Sequence, residues 1–96
     1  MEKFFVTLSN NVVVLGGFKD ENPESITLED PYMVVNDGSQ VLLLPYLTDI
    51  INQKSKEMVF LKSNIINVIQ AENTKLVQTY IKETTGIETG GEILLG

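Results

Sequence analysis

Three consecutive polar residues, Lys62, Ser63 and Asn64, are the strongest candidates for chemistry in this chain. They separate two apolar runs, residues 60–61 and 65–69, and such polar residues favour turns between strands. An ammonium, a hydroxyl and an amide in one tight turn can donate hydrogen bonds to phosphate oxygens. The alternative interpretation is a solvated connection between two strands. The turn is therefore a candidate anion-binding site without catalytic chemistry.

A second candidate is the group of acidic side chains Asp20, Glu21 and Glu24. Two carboxylates can serve in hydrolysis, and carboxylate oxygens can bind a divalent cation. Their spacing fits no calcium-binding loop, and charged runs usually form solvated surface. We therefore interpret residues 19–24 as an acidic loop, which would repel phosphate on its side of the protein.

The composition of the 96-residue chain excludes most catalytic and metal chemistry. It contains no cysteine and no histidine, which removes disulfides, thiolate metal sites and imidazole bases. We expect no enzymatic activity, no cofactor and no bound metal. The net charge is −6, and all seven basic residues are lysines, so the planar fork of arginine is missing. This composition disfavours sequence-specific duplex binding but is compatible with a local basic patch.

Short runs with apolar alternation predict a mostly β protein. The predicted strands are residues 4–9, 12–15, 25–30 with a continuation over 32–35, 41–44, 57–61 and 65–71. Gly16 and Gly17 predict a sharp bend, because glycine inside a strand marks a bulge or a corner. Pro31 predicts a kink within one continuing strand. Residues 48–56 are polar and predict a loop.

The period changes after Asn73 and predicts one helix over residues 74–85. Leu76, Val77, Tyr80 and Ile81 fall on one face of that helix, and we expect this stripe to pack over an open end or edge of the sheet. Asn73 or Thr74 can cap its start, and Gly86 stands just past its end. Residues 87–96 show no clear period and predict a flexible tail.

This order of elements resembles the Sm-like family, whose members are strongly bent five-stranded barrels that assemble into rings. Residues 12–17, the loop 18–24 and residues 25–30 match the first family motif, and residues 61–65 match the second. The resemblance covers residues 3–71, and the chain is similar to divergent members of the family from bacteria or phages. It implies a single Sm-like domain over residues 1–86, with the five-stranded barrel at 3–71 and the helix at 74–85.

The resemblance also implies a function, the non-catalytic binding of single-stranded RNA or another nucleic acid in processing or chaperoning. The loop asparagine that contacts a base in typical members corresponds to Ser25, and the acidic residue that orients it corresponds to Asn22. The family's arginine and glycine correspond to Lys62 and Ser63, which Asn64 follows. These five residues are the implied nucleic-acid-binding site.

The alternative is a structural or protein-interaction ring module that has lost nucleic-acid binding. Glu24 stands where family members carry a stacking side chain, and the acidic balance and missing arginine favour this alternative. In either case we expect a homo-oligomeric ring of about five to seven subunits, because a short open barrel leaves strand edges to be paired. The absence of a long apolar stretch and of a signal-peptide pattern predicts a cytoplasmic protein, in the host cytoplasm if a phage encodes it.

Overall fold

The computed structural model describes residues 2–47 and 56–86, which form a six-stranded antiparallel sheet and one helix. The strands are β1 (Lys3–Leu8), β2 (Val13–Glu21), β3 (Ser25–Asn36), β4 (Val41–Pro45), β5 (Glu57–Leu61) and β6 (Ile65–Gln70), and the helix is α1 (Lys75–Thr85). A 3₁₀ turn, Lys62–Asn64, joins β5 to β6. The predicted mostly β fold with a C-terminal helix is confirmed. The predicted tail at 87–96, and all but the last residue of the predicted loop at 48–56, lie outside the described residues.

The sheet has six strands where the resemblance implied five, because one edge is shared by two strands. The strand order is β4-β3-β2-β1-β6, and β5 also pairs with β3. The first half of β3, residues 25–29, pairs with β5, and the second half, residues 32–36, pairs with β4. The chain therefore leaves the edge of β3 after Pro45 and rejoins it at Glu57. The sheet does not close into a barrel within the described residues.

The two halves of β3 meet at a kink in the backbone at Asp30, directly before Pro31. Asp30 has a φ of 48°, in the left-handed region that few non-glycine residues adopt. Its N–H donates to the carbonyl of Lys56, and the N–H of Tyr46 donates to the carbonyl of Pro31 (N···O 2.8 and 3.0 Å). The predicted continuation of this strand past a kink is confirmed. Both ends of the connection between β4 and β5 are anchored there.

Helix α1 is attached to the same kink through Tyr80. The Tyr80 hydroxyl donates to the carbonyl oxygens of Glu29 and Asp30, at 3.1 and 2.9 Å. Its ring packs edge-on against Tyr32, with ring centroids 5.5 Å apart. Burial raises the pKa of the Tyr80 phenol above its usual range, so the hydroxyl stays protonated as a donor. The helix thereby supports a strained point of the sheet.

Two hydrophobic clusters lie on opposite faces of the sheet, because successive strand residues point to opposite sides. Val6, Val14 and Leu28 are fully buried in the first cluster. Leu15 belongs to the second cluster, which contains Tyr80 of α1. The apolar stripe of the helix therefore packs against a face of the sheet, and the expected packing over an end or edge was wrong.

The ends of α1 agree with the signals in the sequence. Thr74 is the N-cap residue, and its side chain accepts a hydrogen bond from the N–H of Val77. Gly86 follows the last helical residue with a φ of 72°, the left-handed conformation that glycine adopts without steric cost. The predicted caps are confirmed. Within the described residues, no helix has the length and apolar character needed to cross a membrane.

Strand β2 is longer than predicted. Its pairing with β3 shifts register on either side of residues 17–18, which places irregularities where the glycines predicted a bend. Beyond them Asp20 and Glu21 still pair with β3, up to Glu21 opposite Ile26. The predicted loop over residues 19–24 is confined to a tight turn at residues 22–24, because residues 19–21 belong to β2 and extend the hairpin ladder.

Candidate functional site

The turn between β2 and β3 is held by Asn22, one of the predicted site residues. Its side-chain carbonyl accepts hydrogen bonds from the backbone N–H groups of Glu24 and Ser25, at 2.8 and 2.9 Å. Its own N–H donates to the carbonyl of Ser25 at 3.0 Å. Ser25 is 8% exposed, which leaves it little surface to offer a ligand. Asn22 and Ser25 therefore have structural roles in this turn.

The 3₁₀ turn lies beside the β2–β3 turn and brings two more predicted residues to it. The N–H of Lys62 donates to the carbonyl of Glu24 at 2.8 Å. A shallow groove of about 400 Å³ runs between the two turns, lined by Pro23, Glu24, Leu61, Lys62 and Ser63. The structure thus places Lys62 and Ser63 next to Asn22 and Ser25, although these segments are about 40 positions apart in the sequence.

Asn64 is turned toward a different part of the molecule. Its backbone carbonyl accepts a hydrogen bond from the N–H of Ser9 at 2.8 Å, which ties the 3₁₀ turn to the β1–β2 hairpin. Asn64 also lines a second groove, beside Leu8 and Tyr46, and is absent from the lining of the groove that contains Lys62. Four of the five predicted residues are neighbours, and Asn64 is separated from them.

The charge of the Lys62 ammonium is already paired with a carboxylate. Its Nζ lies 2.6 Å from Oε2 of Glu21, and the two side chains are 36% and 48% exposed. An exposed pair of this kind contributes about 0–1 kcal/mol to stability. Asp20, Glu21 and Glu24 stand at the same tip of the molecule, so one lysine is set against three acidic residues. A phosphate group would have to displace Glu21 and approach a surface of net negative charge.

A second ionic cluster, not recognised in the sequence, connects three strands. Glu29 of β3 is directly opposite Glu57 of β5, a like-charge pair that would be unfavourable alone. Lys19 of β2 lies 3.5 Å from Glu29 and 3.0 Å from Glu57. The hydrogen bond and charge of Glu57 raise the pKa of Lys19. Such a cluster depends on strand register, which individual sequence positions do not reveal.

The largest departure from the sequence-based expectation is the exposure of apolar side chains on β6. Five of its six residues are exposed, and Ile66, Val68 and Ile69 expose 61%, 39% and 52% of their surface. Ile66 and Val68 point to one face and Ile69 to the other, so neither face of the strand is covered. On β5, Val59 and Leu61 are 60% and 52% exposed.

The described residues contain no cluster of three or more histidine, cysteine, aspartate or glutamate side chains that could hold a metal ion. No protein-family model matches this chain, and no curated protein matches its sequence. The assignment of a function therefore depends on the geometry alone.

Proposed function

We propose that this protein is a structural interaction module that assembles with copies of itself into a ring. The observation that supports this proposal is the exposure of aliphatic side chains on both faces of β6. Exposed apolar surface in one continuous strip marks interaction sites in soluble proteins. Both faces and one edge of β6 are open, so β6 needs a partner that covers the two faces and the edge.

Unprotected edges at the two ends of the sheet support self-assembly. Within the described residues, β6 pairs with β1 alone and β5 pairs with β3 alone, so each has an unpaired edge. Natural edge strands usually carry charges, proline or bulges that prevent pairing with another chain. The β6 sequence contains no charged residue and no proline, and the irregularity in its pairing with β1 lies at its start, between Ile65 and Asn67. Pairing β6 of one copy with β5 of the next is a head-to-tail contact, which closes into a ring when the rotation fits.

The bent sheet supports the finer assignment of an Sm-like barrel. A strongly bent, nearly closed barrel requires three features of this sheet. They are the kink in β3, the 3₁₀ turn between β5 and β6, and the outermost positions of β5 and β6. In this assignment β4 and β5 together take the place of the single fourth strand of a five-stranded barrel. The assembly would contain about five to seven subunits, each contributing a β5 edge and a β6 edge.

Sedimentation equilibrium of the purified chain tests the proposed self-assembly. We expect one species, larger than a monomer, whose mass stays constant over a wide dilution range, because a closed ring gains an extra contact when it closes. A chain that sediments as a monomer at every concentration would exclude this function.

Nucleic-acid binding is the second candidate, and the groove beside Lys62 and Ser63 is the observation that favours it. The groove combines an ammonium and a hydroxyl in a place accessible to an extended ligand. Repetition around a ring would form a collar of such donors, and each phosphate contact would add salt-dependent affinity. The ion pair with Glu21 and the adjacent Glu24 oppose it, so we place this function second.

Single-stranded RNA binding at low salt separates the two candidates. We expect no measurable binding to the wild-type protein and no change on Lys62→Ala, because Glu21 already neutralises Lys62. Lys75→Ala, at an exposed position on α1, is the matched control. Salt-dependent binding that Lys62→Ala abolishes and Lys75→Ala retains would reverse the order of the candidates.

A further inference from the structure

We infer that an apolar groove beside β5 is a docking site for residues 93–95 of the same chain. This groove, here called the β5 groove, has a volume of about 310 Å³. Its lining includes Leu8, Tyr46, Met58, Val59 and Leu61. Four of the five β5 residues line this groove, and among the described strands β5 pairs with β3 alone.

The β5 groove has the shape and chemistry of a site for an extended apolar segment. Tyr46 stacks on Phe60, with ring centroids 6.1 Å apart, and this pair forms an aromatic base. Val59 and Leu61, both more than half exposed, border the groove. Asn64 stands among the lining residues as a polar group able to bond a peptide backbone. An extended segment that adds to a strand edge uses these two kinds of contact.

The sequence after Gly86 contains one segment with matching chemistry. Residues 87–96 carry a single aliphatic triplet, residues 93–95, preceded by two glycines and Glu92. In an extended chain Ile93 and Leu95 point to the same side, so both can enter the groove together. Residues 87–96 contain two glutamates and no basic residue, and the exposed Lys56 stands directly before β5. The charge of these glutamates is complementary to that of Lys56, whereas Lys62 at the other end of β5 is already paired with Glu21.

The length of the connection allows docking within one chain. Seven residue steps separate Gly86 from Ile93, which corresponds to a span of at most about 25 Å. The molecule measures 41 × 29 × 27 Å along its principal axes, so this span approaches its two shorter dimensions and falls short of the longest. A short connection within one chain gives an effective concentration on the order of millimolar, which favours the chain's own segment over that of another copy at micromolar protein.

Docking of this segment has a consequence for assembly that rests on the proposed function. The segment would cover Val59 and Leu61 at the edge of β5 that the ring contact needs. The docked segment would then compete with the neighbouring subunit for the edge of β5, and assembly would require release of the segment. The docking itself does not depend on assembly, so the two proposals can fail separately.

Two full-length variants test the docking by NMR. Ile93→Ser/Leu95→Ser removes both side chains that enter the groove, and Leu94→Ser is the matched control on the opposite side of the segment. We expect the first variant to shift the Val59 and Leu61 signals and to accelerate amide exchange in β5, while Leu94→Ser leaves both unchanged. Equal effects of the two variants, or no effect of either, would overturn the inference. A shift that disappears on dilution would assign the groove to another copy and would also overturn it.

Discussion

Lysine at both Ile66 and Ile69 should convert the assembled protein into monomers. These side chains point to opposite faces of β6 and are 61% and 52% exposed, so lysine at either position is accommodated in the isolated chain. In the assembly, each lysine would place a charge in apolar surface at a strand edge, which is how natural edge strands avoid pairing. Molar mass by light scattering measures the outcome, and we expect the mass of a single chain.

The control for this prediction is Val41→Lys on β4. Val41 is 47% exposed and lies on a strand that the proposed contact between β5 and β6 does not use. We expect Val41→Lys to keep the wild-type mass. Thermal unfolding of both variants must remain close to the wild-type transition, because substitutions at exposed positions usually change stability by less than about 0.5 kcal/mol. A double variant of β6 that keeps the wild-type mass would show that β6 is not the interface.

Gly16→Ala should lower the free energy of unfolding by about 1–3 kcal/mol, the usual cost of overpacking a core. A Cβ atom at this position would lie 2.8 Å from the Cβ of Leu28 and 3.1 Å from the carbonyl oxygen of Glu29. Neither atom belongs to the end of a flexible side chain, so β2 and β3 would have to separate. Glycine is needed here because the strands are in close contact, since Gly16 does not adopt a positive φ.

Denaturant unfolding of Gly16→Ala is best measured in the monomeric variant of β6, where stability does not depend on subunit concentration. Gly86→Ala provides the comparison, because Gly86 has a φ of 72° and open space where a Cβ would stand. That substitution carries only the conformational cost of the left-handed region, about 1–2 kcal/mol. An absent loss at Gly16 would show that the close contact with Leu28 and Glu29 is not limiting.

The strand and helix pattern was predictable because local signals and tertiary packing agree. The alternation of apolar and polar residues predicted that Ile26 and Leu28 point inward, and both are buried in the first hydrophobic cluster. Thr74 and Gly86 marked the ends of α1 through capping chemistry that acts within one turn. The kink followed from Pro31, because strands tolerate proline at edges and bulges, but the left-handed φ of Asp30 did not follow from it.

The properties of the candidate site were not predictable because they depend on contacts between distant segments. The sequence presents Lys62 as a charged residue in a turn, and only the fold shows its ammonium against Glu21. The apolar run in β6 is typical of a buried strand, yet its position as the last strand of the sheet leaves it exposed. Strand order, unlike strand content, is set by tertiary pairing that no short window of sequence encodes.

Native mass spectrometry of the unmodified protein tests the central claim, self-assembly into a ring, most directly. It counts the chains in each particle, and a closed ring requires a single defined number of them. We expect one dominant species at about five to seven times the 10.7 kDa mass of the chain, without a ladder of intermediate sizes. A spectrum of monomers alone, or an open series of increasing sizes, would contradict the account.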